Sequence, residues 1–86
     1  MARVTIRYWA AAKDAAGADA ESLDAGTLAE ALAAAVSRRG DNRRLPAVLA
    51  RSSFLVDGAP AGSRPHEGIV LRDGATIEVL PPFAGG

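Results

Sequence analysis

Thr76-Ile77-Glu78-Val79-Leu80-Pro81-Pro82-Phe83-Ala84-Gly85-Gly86 is the stretch on which the reading of this chain turns. Residues 76–80 alternate polar and apolar side chains, as a half-buried strand does. Ile77 and Val79 then share one face, and Thr76, Glu78 and Leu80 the other. Pro81 and Pro82 have a fixed φ and no N–H for a neighbouring strand, so pairing ends there. A proline pair also favours the stiff polyproline conformation, which holds the last residues away from the body. Gly85 and Gly86 carry no Cβ and can thread a channel too narrow for other residues. Fully extended, six residues reach roughly 20 Å. The expectation is a folded domain over 1–80 and a flexible tail over 81–86 that delivers a terminal carboxylate to another protein. With 9 Gly in 86 residues, a terminal glycine pair arises by chance in about 1% of chains. Its position after a strand and two prolines therefore carries information.

Working outward, the length of 86 residues sets one domain with a modest core. Hydrophobic residues are 49% and charged residues 23%, an ordinary globular balance. Ten basic and ten acidic side chains cancel, which argues against a nucleic-acid or anionic-membrane surface. No apolar run long enough to span a bilayer and no signal segment is evident, so a cytoplasmic protein is expected. Cysteine is absent and histidine occurs once. A thiolate nucleophile, a disulfide or a Cys-ligated metal site is excluded within the chain, and metal catalysis is not expected.

Val4-Thr5-Ile6-Arg7-Tyr8-Trp9 alternates as a strand with Val4, Ile6 and Tyr8 inward. Trp9 falls on the opposite face, where it covers the neighbouring alanine-rich segment or meets a partner. Residues 10–17 have room for one short helical turn, with Lys13 and Asp14 a solvated pair. Residues 20–24 read as an edge strand anchored by Leu23, its acidic residues discouraging pairing with other chains. Thr27-Leu28-Ala29-Glu30 is a capping box. Leu28, Ala31, Leu32, Ala35 and Val36 then take the spacing of one apolar stripe, which predicts a helix over 28–39 with Gly40 as its stop.

Arg38, Arg39, Arg43 and Arg44 read as a solvated loop end, with a phosphate site as the alternative. Residues 45–51 fit a short second helix with Pro46 in its first turn and Leu45, Val48 and Leu49 inward. Phe54-Leu55-Val56 is a strand and Asp57-Gly58 a hairpin turn. His66 lies in the loop beyond that turn; without a nucleophile partner it reads as exposed and without a role. Ile69-Val70-Leu71 returns to the core. The last strand then lies parallel to the first and central, after a right-handed crossover.

This order, with its ending, resembles the ubiquitin-like β-grasp fold of the MoaD/ThiS sulfur-carrier family. The expected class is α+β, a mixed sheet of four to five strands with the main helix across one face. Tyr8-Trp9-Ala10 with Lys13-Asp14 and Gly17, the capped start Thr27 to Leu32, and Leu71-x-Asp73-Gly74-x-x-Ile77-x-x-Leu80-Pro81-Pro82-x-x-Gly85-Gly86 are the matching pieces. Ala75 and Ala84 depart from the family pattern, where an acidic residue and Ser or Thr are common. The Pro-Pro form looks more like the small subunit of molybdopterin synthase than like the thiamine carrier.

The resemblance implies that Gly86 is adenylated and converted to a thiocarboxylate. Leu80, Pro81, Pro82, Phe83, Ala84 and Gly85 would bind partners. It further implies a MoaE-like large subunit, a MoeB-like adenylating enzyme that uses ATP, and a persulfide donor, with no cofactor bound by this chain. The chain would be a sulfur-donor subunit without active-site side chains. Leu80 and Phe83, both apolar and on the outer side, suggest a docking patch; the other reading of Leu80 is packing on its sheet neighbours. A thiamine-type carrier, a ubiquitin-like modifier acting on lysines and a noncovalent interaction domain remain open as functions.

Overall fold

A computed structural model describes residues 1–82. Along the chain come β1 (Ala2–Tyr8), α1 (Ala11–Ala16), β2 (Ala20–Ala25), α2 (Leu28–Ser37), α3 (Arg44–Arg51), β3 (Ser53–Val56), β4 (Ala59–Pro60) and β5 (Thr76–Leu80). The five strands form one sheet in the order β2-β1-β5-β3-β4. β1 and β5 are parallel, with Ile6 level with Ile77 and Tyr8 with Val79. The remaining pairs are antiparallel. This is the expected α+β β-grasp, with the closing strand at its centre.

The alternation read from the sequence sets the faces. Val4, Ile6 and Tyr8 of β1, Leu23 of β2, Phe54 of β3, and Ile77 and Val79 of β5 are buried on one side. Leu28, Ala31 and Ala35 of α2 and Leu45, Val48 and Leu49 of α3 close over them. Two fully buried alanines on α2 let the helix approach the sheet closely, at the cost of side-chain area. Ala75, where the family pattern has an acidic residue, is 2% exposed at the entry to β5. A charge there would have to be desolvated.

Several local readings are corrected. α2 ends at Ser37, two residues short of the expected 39, because Arg38 and Arg39 carry the chain into a turn with Gly40 at φ 56°. Its cap is shifted as well: Thr27 Oγ1 accepts from the Glu30 N–H at 3.2 Å, but the Glu30 carboxylate accepts from Gly26 N–H at 2.8 Å. A Cβ on Gly26 would sit 2.9 Å from that Glu30 oxygen, so glycine permits this arrangement. α3 begins at Arg44, because Asn42 Oδ1 accepts from both Arg44 N–H and Leu45 N–H. The Asn42 amide also donates to Ala15 O at 2.7 Å, tying α3 to α1.

α1 has six residues and closes with Gly17 in the left-handed conformation, so it exceeds the single turn expected. Lys13 pairs with Asp19 at 2.7 Å instead of Asp14, since adjacent helical residues do not face one another. Asp57 and Gly58 both have positive φ, as the hairpin turn of type I′ requires. Ile69 and Leu71 are buried as expected, but Val70 between them is 75% exposed. No helix among the described residues is long and apolar enough to cross a membrane.

Candidate functional site at the root of the tail

β5 is paired on both sides, so the chain reaches Leu80 held by β1 on one flank and by β3, through Ser53, on the other. The pairing with β1 runs one step beyond the ladder, where Trp9 N–H donates to Val79 O at 3.3 Å. Carrying that register forward brings Trp9 level with Leu80, both on the face away from the helices. Trp9 Nε1 donates to Glu78 Oε1 at 3.2 Å, and the Arg7 guanidinium stands 5.3 Å from the indole centroid. These two contacts fix the ring while leaving it 43% exposed. With Ala10, Leu80 and Pro81 the ring lines an apolar concavity of about 320 Å³.

Trp9 borders Lys13 and Asp14 of α1 on one side and stands beside the start of the tail on the other. The parallel register was the signal that places it there. Ala10 makes the turn possible: at φ 49° and ψ −124° the chain leaves the sheet abruptly and enters α1. That conformation is costly for any residue with a Cβ, and most tolerable with the smallest one.

Of the expected site residues, Leu80 and Pro81 are half-buried in this surface and Pro82 is exposed. Leu80 is packed beside Trp9 on one side and open on the other. Phe83, Ala84, Gly85 and Gly86 lie outside the described residues. The second half of the docking patch read from the sequence, Phe83, is among them.

Two groups of residues with possible roles sit elsewhere. Arg38 and Arg39, the first two arginines after α2, are not part of a solvated loop end. Arg39 Nη1 lies 2.7 Å from Glu21 Oε2, its Nε donates to Ala16 O at 2.9 Å, and its guanidinium stacks 5.4 Å from the Tyr8 ring centroid. Arg38 Nη1 lies 3.0 Å from Glu21 Oε1, and the Tyr8 hydroxyl donates to the same carboxylate. Burial pushes the Glu21 carboxyl up, but hydrogen bonds from Tyr8, Arg39 and Arg38 outweigh it and hold the group below the usual carboxylate range. Burial first, then the bond to Glu21, push the Tyr8 phenol up. Glu21, read as an edge charge, is the centre of a latch between β2, β1 and the end of α2. Of the four, Arg39 is half-buried, while Arg38, Arg43 and Arg44 are exposed.

His66 is half-buried, its ring edge-on to Phe54 at 5.1 Å. It borders a groove of about 450 Å³ with Leu32, Leu49 and Pro60, and it is a packing residue.

The sequence model of the ThiS family matches residues 6–86. Among solved structures, the chain is similar to small archaeal modifier protein 1 from Methanosarcina acetivorans, at 22% identity and TM-score 0.81, covering 100% of this chain and 98% of that one. A putative molybdopterin converting factor subunit 1 from Pyrococcus furiosus matches at 18% identity and TM-score 0.76, covering 95% and 99%. A complex of subunits 1 and 2 of molybdopterin-converting factor from Helicobacter pylori matches at 21% identity and TM-score 0.67, covering 98% and 99%. At these identities the structures speak for the fold alone. None of the curated proteins matches the sequence.

Proposed function

Because this chain belongs to the ThiS family of ubiquitin-like sulfur carriers, we propose that Gly86 carries sulfur as a terminal thiocarboxylate. The observation that most supports this is the geometry at the root of the tail. A strand clamped on both flanks ends in two prolines beside a part-exposed tryptophan, a rigid mount for the residues that follow.

The chemistry starts from the carboxylate. A terminal carboxyl group ordinarily titrates at about pH 3.5 and is an anion at neutral pH, which makes it a poor electrophile. A partner adenylating enzyme joins it to ATP, releasing pyrophosphate and forming an acyl-adenylate. A persulfide on a donor protein then attacks the acyl carbon and AMP leaves. A second thiol on the partner side then attacks the donor's own sulfur of this acyl disulfide; the sulfur–sulfur bond breaks, a partner disulfide forms, and the thiocarboxylate is left on Gly86. With no cysteine in the chain, the sulfur relay belongs to the partners. Anionic sulfur is a strong nucleophile, so the carrier needs no base of its own in the final transfer.

Pro81-Pro82 favours the molybdopterin branch, in which the tail enters a large synthase subunit and the sulfur attacks a pterin precursor. The Helicobacter pylori complex is a precedent for this fold held by such a partner. Trp9, Leu80 and Pro81 form the surface offered to it. Deleting Gly86 is expected to leave the thermal midpoint unchanged and to abolish sulfur transfer, read as pterin conversion with the matched large subunit. Intact mass of the chain from its own host checks the sulfur itself. Full activity in the deletion variant would refute the reading.

A further inference from the structure

The chain has ten cationic side chains, of which nine are arginine and one is lysine, Lys13. Arginine stays protonated and resists acylation, whereas a lysine amine is the usual acceptor for acyl groups. Lys13 is on α1 with its side chain 57% exposed, and its Nζ lies 2.7 Å from Asp19 Oδ1. Gly17, left-handed at the end of α1, closes back on Lys13 O at 2.9 Å. The turn brings Asp19 alongside the helix. The hydrogen bond from Lys13 and the charge of Asp19 raise the amine above the ordinary lysine value, with a smaller push from Asp14.

Position makes this pairing matter. Lys13 and Asp19 border a concavity with Trp9 and Ala10. Trp9 and Ala10 are also neighbours of Leu80 and Pro81. The one lysine thus shares the Trp9–Ala10 surface with the root of the tail.

Building on the sulfur-carrier reading, we propose that Lys13 is a guarded acyl-acceptor site. It is the one side-chain amine that an activated carboxyl group, the adenylated end of a second copy included, can acylate, and its ion pair with Asp19 slows that reaction. In the step itself, the lone pair of neutral Nζ adds to the acyl carbon of the adenylate. The bond from that carbon to the phosphate oxygen breaks, AMP leaves, and the nitrogen gives a proton to solvent. The product is an isopeptide bond, and ATP has supplied the activation. Each such event wastes a carrier, because the acyl carbon is no longer available to sulfur. A surface with arginine in place of lysine, and a proton held on its single amine, limits that loss.

The test uses the full 86-residue chain and a small acylating probe, the N-hydroxysuccinimide ester of acetic acid. Rates at Lys13 are read by peptide mass spectrometry for wild type, Asp19→Asn and Lys13→Arg, with circular dichroism confirming that each folds. Asp19→Asn is expected to raise the rate roughly two- to fivefold, the range an exposed ion pair supports, and added salt to shrink the difference. Lys13→Arg removes side-chain acetylation. Equal rates in wild type and Asp19→Asn would overturn the proposal. A second arm supplies the adenylating enzyme and ATP, and expects Lys13-linked dimers to accumulate faster with Asp19→Asn. Dimers forming equally fast in the wild type would overturn it too. A chain that is not adenylated, yet keeps the difference with the ester, sinks the carrier reading while supporting the guard.

Discussion

Tyr8 and Trp9 are consecutive residues where β1 ends, and the pleat sends them to opposite sides of the sheet. Tyr8 is 3% exposed and hydrogen-bonded to Glu21, beneath the Arg39 guanidinium. Trp9 is 43% exposed, with one hydrogen bond to Glu78 and the Arg7 guanidinium beside it. Both are aromatic, and both have a cation close to the ring. The difference is what surrounds them. The inner site is closed by charged and polar groups from three elements. The outer one is an apolar surface bounded by Leu80 and Pro81. One pleat separates a region that holds the fold together from one that is free to meet a partner.

The sharpest way to break this division is Trp9→Ala. A partly exposed aromatic at the centre of an interface commonly carries about 2–4 kcal/mol of binding energy. Its loss from a free surface costs stability of about 1 kcal/mol or less. Trp9→Ala is therefore expected to weaken binding to the large subunit or the adenylating enzyme at least about thirtyfold, by calorimetry. The thermal midpoint should move little. If the variant unfolds readily and binds normally once folded, the two regions are not separate.

Glu21→Gln probes the opposite side. It removes the charge that meets Arg38 and Arg39 and keeps the shape, with an expected loss of about 2 kcal/mol in unfolding free energy. Binding should be unchanged. The pH dependence has a definite sign. Glu21 is held below its ordinary value when folded, so the unfolded chain binds its proton first as pH falls. The stabilisation is fully present above the unfolded value, about pH 4.3, and is lost as pH drops through the lower folded value. Glu21→Gln should flatten this part of the stability profile, measured by urea unfolding between about pH 3 and 6. A profile that stays as steep in the variant would place the acid sensitivity in other carboxylates.

The same contrast shows what the sequence made legible. Strand alternation located Val4, Ile6, Tyr8, Ile77 and Val79 in the core, because one-sided burial imposes a period of two on any strand. The helix stripe and the Asp57-Gly58 turn were legible for similar local reasons. The Glu21 latch was not, because it joins residues 8, 21, 38 and 39, and no local pattern couples such distant positions. Read singly, each charge is an ordinary surface charge. Trp9 lies between these cases: its face was readable, but its neighbour required the register of a strand far along the chain. The tail was read from Pro81-Pro82 and the terminal glycines, and only its root is within the described residues.

Ala10 is the corner between the two regions, and it yields the smallest of these effects. Its φ of 49° and ψ of −124° belong to a conformation that costs a residue with a Cβ about 1–3 kcal/mol. Glycine removes that strain and adds back about 1 kcal/mol or less of unfolded-state freedom. Ala10→Gly is thus expected to stabilise the chain by about 1 kcal/mol, seen as a higher urea midpoint at an unchanged slope. Trp9 is held by Glu78, by Arg7 and by its own bond to Val79 O, all outside the corner, so partner affinity should not change. If affinity falls while stability rises, the strain at Ala10 is part of what aims the indole at the tail. The separation between holding the fold and meeting the partner would then fail at the residue where the two regions join.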